Sequence, residues 1–85
     1  MPTKSVVVGS AVGLHARPAA IISEAAGELD SEVTIAVPGG EPVDASSALL
    51  IMTLGAGPGD LVEVSSDDQA ALDAIVALVE KDLDA

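Results

Sequence analysis

Residues 32–37 alternate, with Glu32, Thr34 and Ala36 set against Val33, Ile35 and Val37, and a period of two predicts a strand with one buried face. Pro38-Gly39-Gly40 ends that strand in a turn. Residues 41–43 then return as a short edge strand, where Pro42, lacking an N–H, restricts pairing. Two further runs carry a strand signal: residues 5–8, bounded by Gly9-Ser10, and residues 60–65, where Leu61, Val62 and Val64 follow a turn at Pro58-Gly59. Toward the C-terminal end the rhythm changes. Leu72, Ile75, Val76, Val79 and Leu83 fall on one helical stripe, with Asp73, Glu80 and Asp84 off it. The preceding Ser66-Asp67-Asp68-Gln69 has the form of a capping box, with acids where the helix dipole favours them.

Two more helices are predicted between the strands. Residues 16–26 are rich in Ala, and Pro18, Ile22, Ala25 and Leu29 share one face, with Gly27 limiting the helix at its end. Proline is tolerated only in the first turn, where its missing N–H has no partner to lose, so Pro18 sets the helix start near Ala16 and puts His15 at its edge. Gly13 lies in the loop before it, residues 11–14. Residues 44–54 are apolar apart from Asp44, two serines and Thr53, and Ser46 or Ser47 caps a short helix that ends at Gly55. The order is βαββαβα with no internal repeat and no linker, which predicts one domain over residues 1–85. Its class is α+β, an antiparallel sheet covered on one side by helices.

Composition narrows the reading. Nearly half of the residues are apolar but none is aromatic, so the core is built from Val, Ile, Leu and Ala. There is no cysteine, which excludes disulfides and thiolate metal sites and fits a reducing cytoplasm. Fourteen acids face Lys4, Arg17 and Lys81, and a net charge of −11 repels nucleic acid and anionic membranes. The residues after Met1-Pro2-Thr3-Lys4 are too few for a signal-peptide core, and no apolar run reaches membrane-spanning length. A soluble, intracellular protein is expected.

One stretch gathers chemistry: the only histidine and the only arginine stand two residues apart at a helix start. A neutral imidazole is a competent nucleophile toward a phosphoryl group near pH 7. The anion so formed is met by backbone N–H groups, by the helix dipole and by the guanidinium fork of Arg17. The competing reading is structural, with His15 capping the helix or merely solvated, and Gly13 and Pro18 as loop and helix punctuation.

The segment Gly13-Leu14-His15-Ala16-Arg17-Pro18-Ala19 resembles the active-site signature of HPr, the histidine-containing carrier of the bacterial phosphotransferase system. Ser47-Ala48-Leu49-Leu50-Ile51-Met52-Thr53-Leu54-Gly55 resembles the family's regulatory serine region, and with length and element order the likeness covers nearly the whole chain. It implies an open-faced β-sandwich of four antiparallel strands and three helices. It also implies that His15 is phosphorylated on Nδ1 by enzyme I, which draws on phosphoenolpyruvate, that Arg17 stabilises the phosphohistidine at the helix start formed by Ala16 and Pro18, and that the group passes to IIA domains of sugar permeases. The chain would then be a cytoplasmic, monomeric relay without cofactor or metal, not an enzyme. Ser47 would be the target of an HPr serine kinase, and Ala48, Leu49 and Met52 would form the partner patch. Two positions depart from the family: Ser46, where lysine is frequent, and Val12, where relatives carry a polar residue that caps the helix or orients the ring. Two other readings stay open, a regulatory paralogue carrying the same His15 and an interaction module in which Leu49, Leu50 and Met52 bind a partner and His15 is incidental. A metal-dependent enzyme or a hydrolase finds no ligand spacing and no nucleophile paired with His15.

Overall fold

The computed structural model describes residues 2–9 and 13–81. The elements are β1 (Thr3–Val7), α1 (Ala16–Gly27), β2 (Val33–Ala36), β3 (Val43–Asp44), α2 (Ala48–Thr53), β4 (Leu61–Ser66) and α3 (Gln69–Glu80). This is the expected βαββαβα order. The strands form one antiparallel sheet in the order β1-β4-β2-β3, a topology that local patterning alone does not specify. The first and last strands become neighbours, with β1 at one edge of the sheet and β4 in its interior. α3 lies against β1, β4 and β2, and α1 packs on α3 and α2.

The alternation along the strands explains the two layers. Val6, Val33, Ile35, Val62 and Val64 are buried and meet Ile22, Leu72, Ile75, Val76 and Val79 from the helices in one apolar cluster. On the other face Val7 and Leu61, opposite each other in the β1–β4 register, are exposed, as in an open-faced sheet. Such a core of small aliphatic side chains depends on close interdigitation, because no ring fills space.

Several boundaries differ from the sequence expectation, each for a local reason. β1 is displaced toward the N-terminus because its ladder with β4 runs from Thr3↔Ser65 to Val7↔Leu61. Val8 falls outside it but stays buried, its N–H donating to the Asp60 carbonyl at 2.9 Å and its own carbonyl accepting from the Gly59 N–H at 3.0 Å. β2 is shorter than expected, and Ala36, on the nominally polar side, is buried. The short edge strand is Val43–Asp44, so Pro42 lies outside the ladder, where its missing N–H costs nothing.

Ser66-Asp67-Asp68-Gln69 is not a capping box. Ser66 is the last residue of β4 and fully buried, its hydroxyl donating to the Glu32 carbonyl at 2.8 Å and accepting from the Asp68 N–H at 3.2 Å. Asp68 is the cap of α3 and accepts from the Ala70 N–H at 3.0 Å. The hydroxyl expected at the helix end is used instead to seal the sheet. Leu72, Ile75, Val76 and Val79 are buried on the expected stripe, whereas Leu83 and Asp84, like Val12 and Ala11, lie outside the described residues.

Candidate functional site

α1 begins at Ala16 with His15 as its N-cap in extended conformation, and the His15 side chain makes no cap hydrogen bond. Capping therefore does not account for this histidine. The His15 carbonyl accepts the first helical bond, from the Ala19 N–H at 2.9 Å. The N–H groups of Ala16 and Arg17 precede that bond, and Pro18 has none, so two donors at the positive end of the helix are left without a partner inside the helix. His15, Ala16 and Arg17 are exposed, while Leu14, Pro18 and Ala19 are buried and anchor the turn beneath them.

The approach to His15 is fixed by contacts from the far side of the chain. Gly13 has φ +78°, and a Cβ there would sit 2.6 Å from the Ala56 carbonyl oxygen and 2.8 Å from Gly57 Cα, so the backbone passes where only glycine fits. One residue on, the Leu14 N–H donates to that same Ala56 carbonyl at 2.9 Å. Four residues before Gly13, the Gly9 N–H donates to the Val79 carbonyl at 3.0 Å, and any Cβ on it would collide with the Glu80 carbonyl at the end of α3. Ala56 and Gly57 did not stand out in the sequence as site residues. The signal available was the run Gly55-Ala56-Gly57-Pro58-Gly59, whose lack of bulk allows a second backbone to approach.

Of the two candidate serines, Ser47 caps α2, its hydroxyl accepting from the Leu50 N–H at 3.3 Å. Ser46 is turned the other way, and both its N–H (2.9 Å) and its hydroxyl (2.7 Å) donate to Asp44 Oδ1. The Ser46 N–H, followed by its hydroxyl, holds the Asp44 carboxyl below its ordinary value. Gly55, with φ +66°, follows the C-terminal turn of α2 as expected. Within α2 only Ile51 is buried. Leu49 is 71% exposed, Leu50 41% and Met52 38%, and Ala48 is half-buried against the core. The patch residues thus divide, with Leu49 and Met52 outward and Ala48 partly inward, and Leu50 joins the outward set. α2 packs on α1, so this apolar surface and the histidine belong to adjoining helices.

No charged residue occurs over residues 45–59, and over residues 5–23 Arg17 is the only one, so the chain's acidity is placed elsewhere. Part of it rims an open cavity of about 290 Å³ lined by Gly27, Asp30, Ser31, Glu32, Asp44 and Ser46, among others, with none of its lining from the start of α1. His15 therefore stands on the surface. No group of three or more His, Cys, Asp and Glu able to hold a metal ion occurs among the described residues, and none of the described helices is long and apolar enough to cross a membrane.

An open-faced α+β sandwich with an exposed histidine at an uncapped helix start is the class that fold and site define. The family model described as "PTS HPr component phosphorylation site" matches residues 2–81. The phosphocarrier protein HPr of Streptomyces coelicolor is 42% identical over 87 residues, covering 99% of this chain and 94% of that protein. The HPr of Mycoplasma pneumoniae is 38% identical over 79 residues, with 89% and 90% covered. The crystal structure of HPr from Bacillus anthracis superimposes with a TM-score of 0.84 at 32% identity, covering 92% of this chain and 95% of that one. The chain belongs to the HPr family, the phosphocarriers of the phosphotransferase system.

Proposed function

We propose that the chain acts as one relay unit in which His15 takes a phosphoryl group from phosphorylated enzyme I and gives it to IIA domains of sugar permeases, in the cytoplasm. The observation that carries this reading is the uncapped start of α1, with an exposed His15 side chain that makes no cap bond to its own helix. The lone pair of Nδ1 attacks phosphorus, a P–N bond forms, and the bond joining phosphorus to enzyme I breaks, leaving its electron pair with enzyme I. The phosphoryl oxygens then lie where the Ala16 and Arg17 N–H groups and the Arg17 guanidinium supply positive partners. The second transfer reverses the roles, with a nucleophile of the IIA domain attacking and His15 leaving. Exposure suits a group that two proteins must reach in turn, and modest stabilisation keeps the phosphohistidine transferable. The protein is a carrier, returned to its starting state by its partners.

The same reading assigns Leu49 and Met52, with Ala48 behind them, to the surface on which both partners rest, where an exposed apolar patch beside the acceptor has a use. It further assigns Ser47 to a serine kinase. A phosphate there adds roughly −1.5 to −2 charges beside the docking face and weakens the approach of acidic partners.

The test is phosphorylation by purified enzyme I and phosphoenolpyruvate, followed by phosphorus NMR, with His15→Ala alongside. An acid-labile phosphohistidine signal that is lost in His15→Ala supports the relay. A wild-type chain that stays unmodified beside an active enzyme I rejects it in favour of the interaction module.

A further inference from the structure

The turn that follows α2 contains one side-chain bond, made by the carboxylate of Asp60. Asp60 Oδ2 accepts from the Gly57 N–H at 2.8 Å, and the Asp60 N–H closes the turn on the Gly57 carbonyl at 3.1 Å. The Asp60 carbonyl accepts from Val8 at 2.9 Å and so fixes the turn to the end of β1. The turn thus held carries the Ala56 carbonyl, which receives the Leu14 N–H and lies against the Gly13 backbone immediately before the phosphoryl acceptor. A peptide plane is rigid, so the Gly57 N–H and the Ala56 carbonyl, which belong to the same peptide unit, turn together. Whatever orients the donor orients the acceptor.

We propose that Asp60 is a positioning residue for phosphoryl transfer: by fixing the Ala56–Gly57 peptide it aims the Ala56 carbonyl at Leu14 and thereby sets the backbone from which His15 projects. The inference rests on His15 being the phosphoryl acceptor. Asp60 touches neither the phosphoryl group nor the imidazole, and its effect reaches them through one peptide plane and one hydrogen bond. The requirement is for an acceptor oxygen, not for charge, which separates Asp60 from the general acidity of the chain. Asn, which retains a carbonyl oxygen at the same reach, should serve in its place, and Ala should not.

The experiment compares wild type, Asp60→Ala and Asp60→Asn, with Asp68→Ala as a control that removes another side-chain-to-backbone bond far from the turn. Amide hydrogen exchange is followed at Leu14 and Gly57, and the kcat and KM of phosphoryl transfer from enzyme I are measured with phosphoenolpyruvate as donor. In Asp60→Ala, exchange at both amides rises on the order of fivefold. In the same variant kcat falls about tenfold, as a displaced nucleophile requires, with KM within about twofold of wild type. Asp60→Asn restores both readouts, and Asp68→Ala moves neither. The proposal is overturned if Asp60→Ala exposes Gly57 alone and leaves Leu14 and kcat as in wild type, or if Asp60→Asn is as impaired as Asp60→Ala. A wild-type chain that takes no phosphoryl group from an active enzyme I rejects the carrier reading itself. Normal wild-type transfer with an unaffected Asp60→Ala rejects only the role of Asp60.

Discussion

α1 and α3 have the same length and pack against each other, yet they begin in opposite ways. α3 is closed by Asp68, whose carboxylate occupies a first-turn N–H, with Ser66 bound to the Asp68 backbone just before it. α1 is left open by His15, and its first turn carries Arg17 where an acid would ordinarily be favoured. A carboxylate capping this end would occupy the place that the phosphoryl group takes in the proposed relay. A helix start serves stability when its own side chain fills it and serves binding when it is left for a guest.

The largest way to disturb this contrast is Gly13→Ala. A Cβ at φ +78° and within contact of the Ala56 carbonyl lifts the open end away from its support, at a cost of about 2 to 3 kcal/mol. Urea denaturation should show that loss together with slower phosphorylation. Next, Arg17→Gln should leave the fold unchanged but remove the charge-assisted partner proposed for the phosphate. The rate of phosphohistidine formation should fall about tenfold, read by quenched-flow with labelled phosphoenolpyruvate. Converting each end into the other is a subtler test. His15→Asn should close α1 and raise stability by about 1 kcal/mol while abolishing transfer, and Asp68→Ala should lose about the same amount with transfer intact. An Asn that caps without stabilising would show that the open end is not an unused cap.

The smallest effect is expected at Asp44, outside both helices. Its carboxyl is held below the ordinary value of 3.8 by Ser46, so its contribution is present above that value and disappears as pH falls through the depressed one. Chemical denaturation at decreasing pH should show a shallower acid limb for Asp44→Asn than for wild type.

The elements were legible in the sequence because their faces are periodic: alternation marked β2, and the stripe of Leu72, Ile75, Val76 and Val79 marked α3. The His15-Arg17 pair and the position of Pro18 were legible for a different reason, since a helix start constrains residue type locally. What could not be read is what arises between distant segments. The β1-β4-β2-β3 order decides that Thr3 meets Ser65 and that Ser66 is drawn into the sheet and away from its expected role at α3. The support of His15 by Ala56 and Asp60 has the same origin, for a backbone carbonyl leaves no mark on residue identity. Its trace is only the small residues that let it approach.

The glycine contacts before His15 have a consequence for where this chain tolerates a side chain. Gly9 is seated on the end of α3 and Gly13 on the turn after α2, each where a Cβ would collide with backbone. A side chain at either position must displace one of those backbones, whereas Gly27, with open space around it, has room for one. In a library of single substitutions at the glycines, Gly9 and Gly13 should be strongly depleted among folded variants and Gly27 should not.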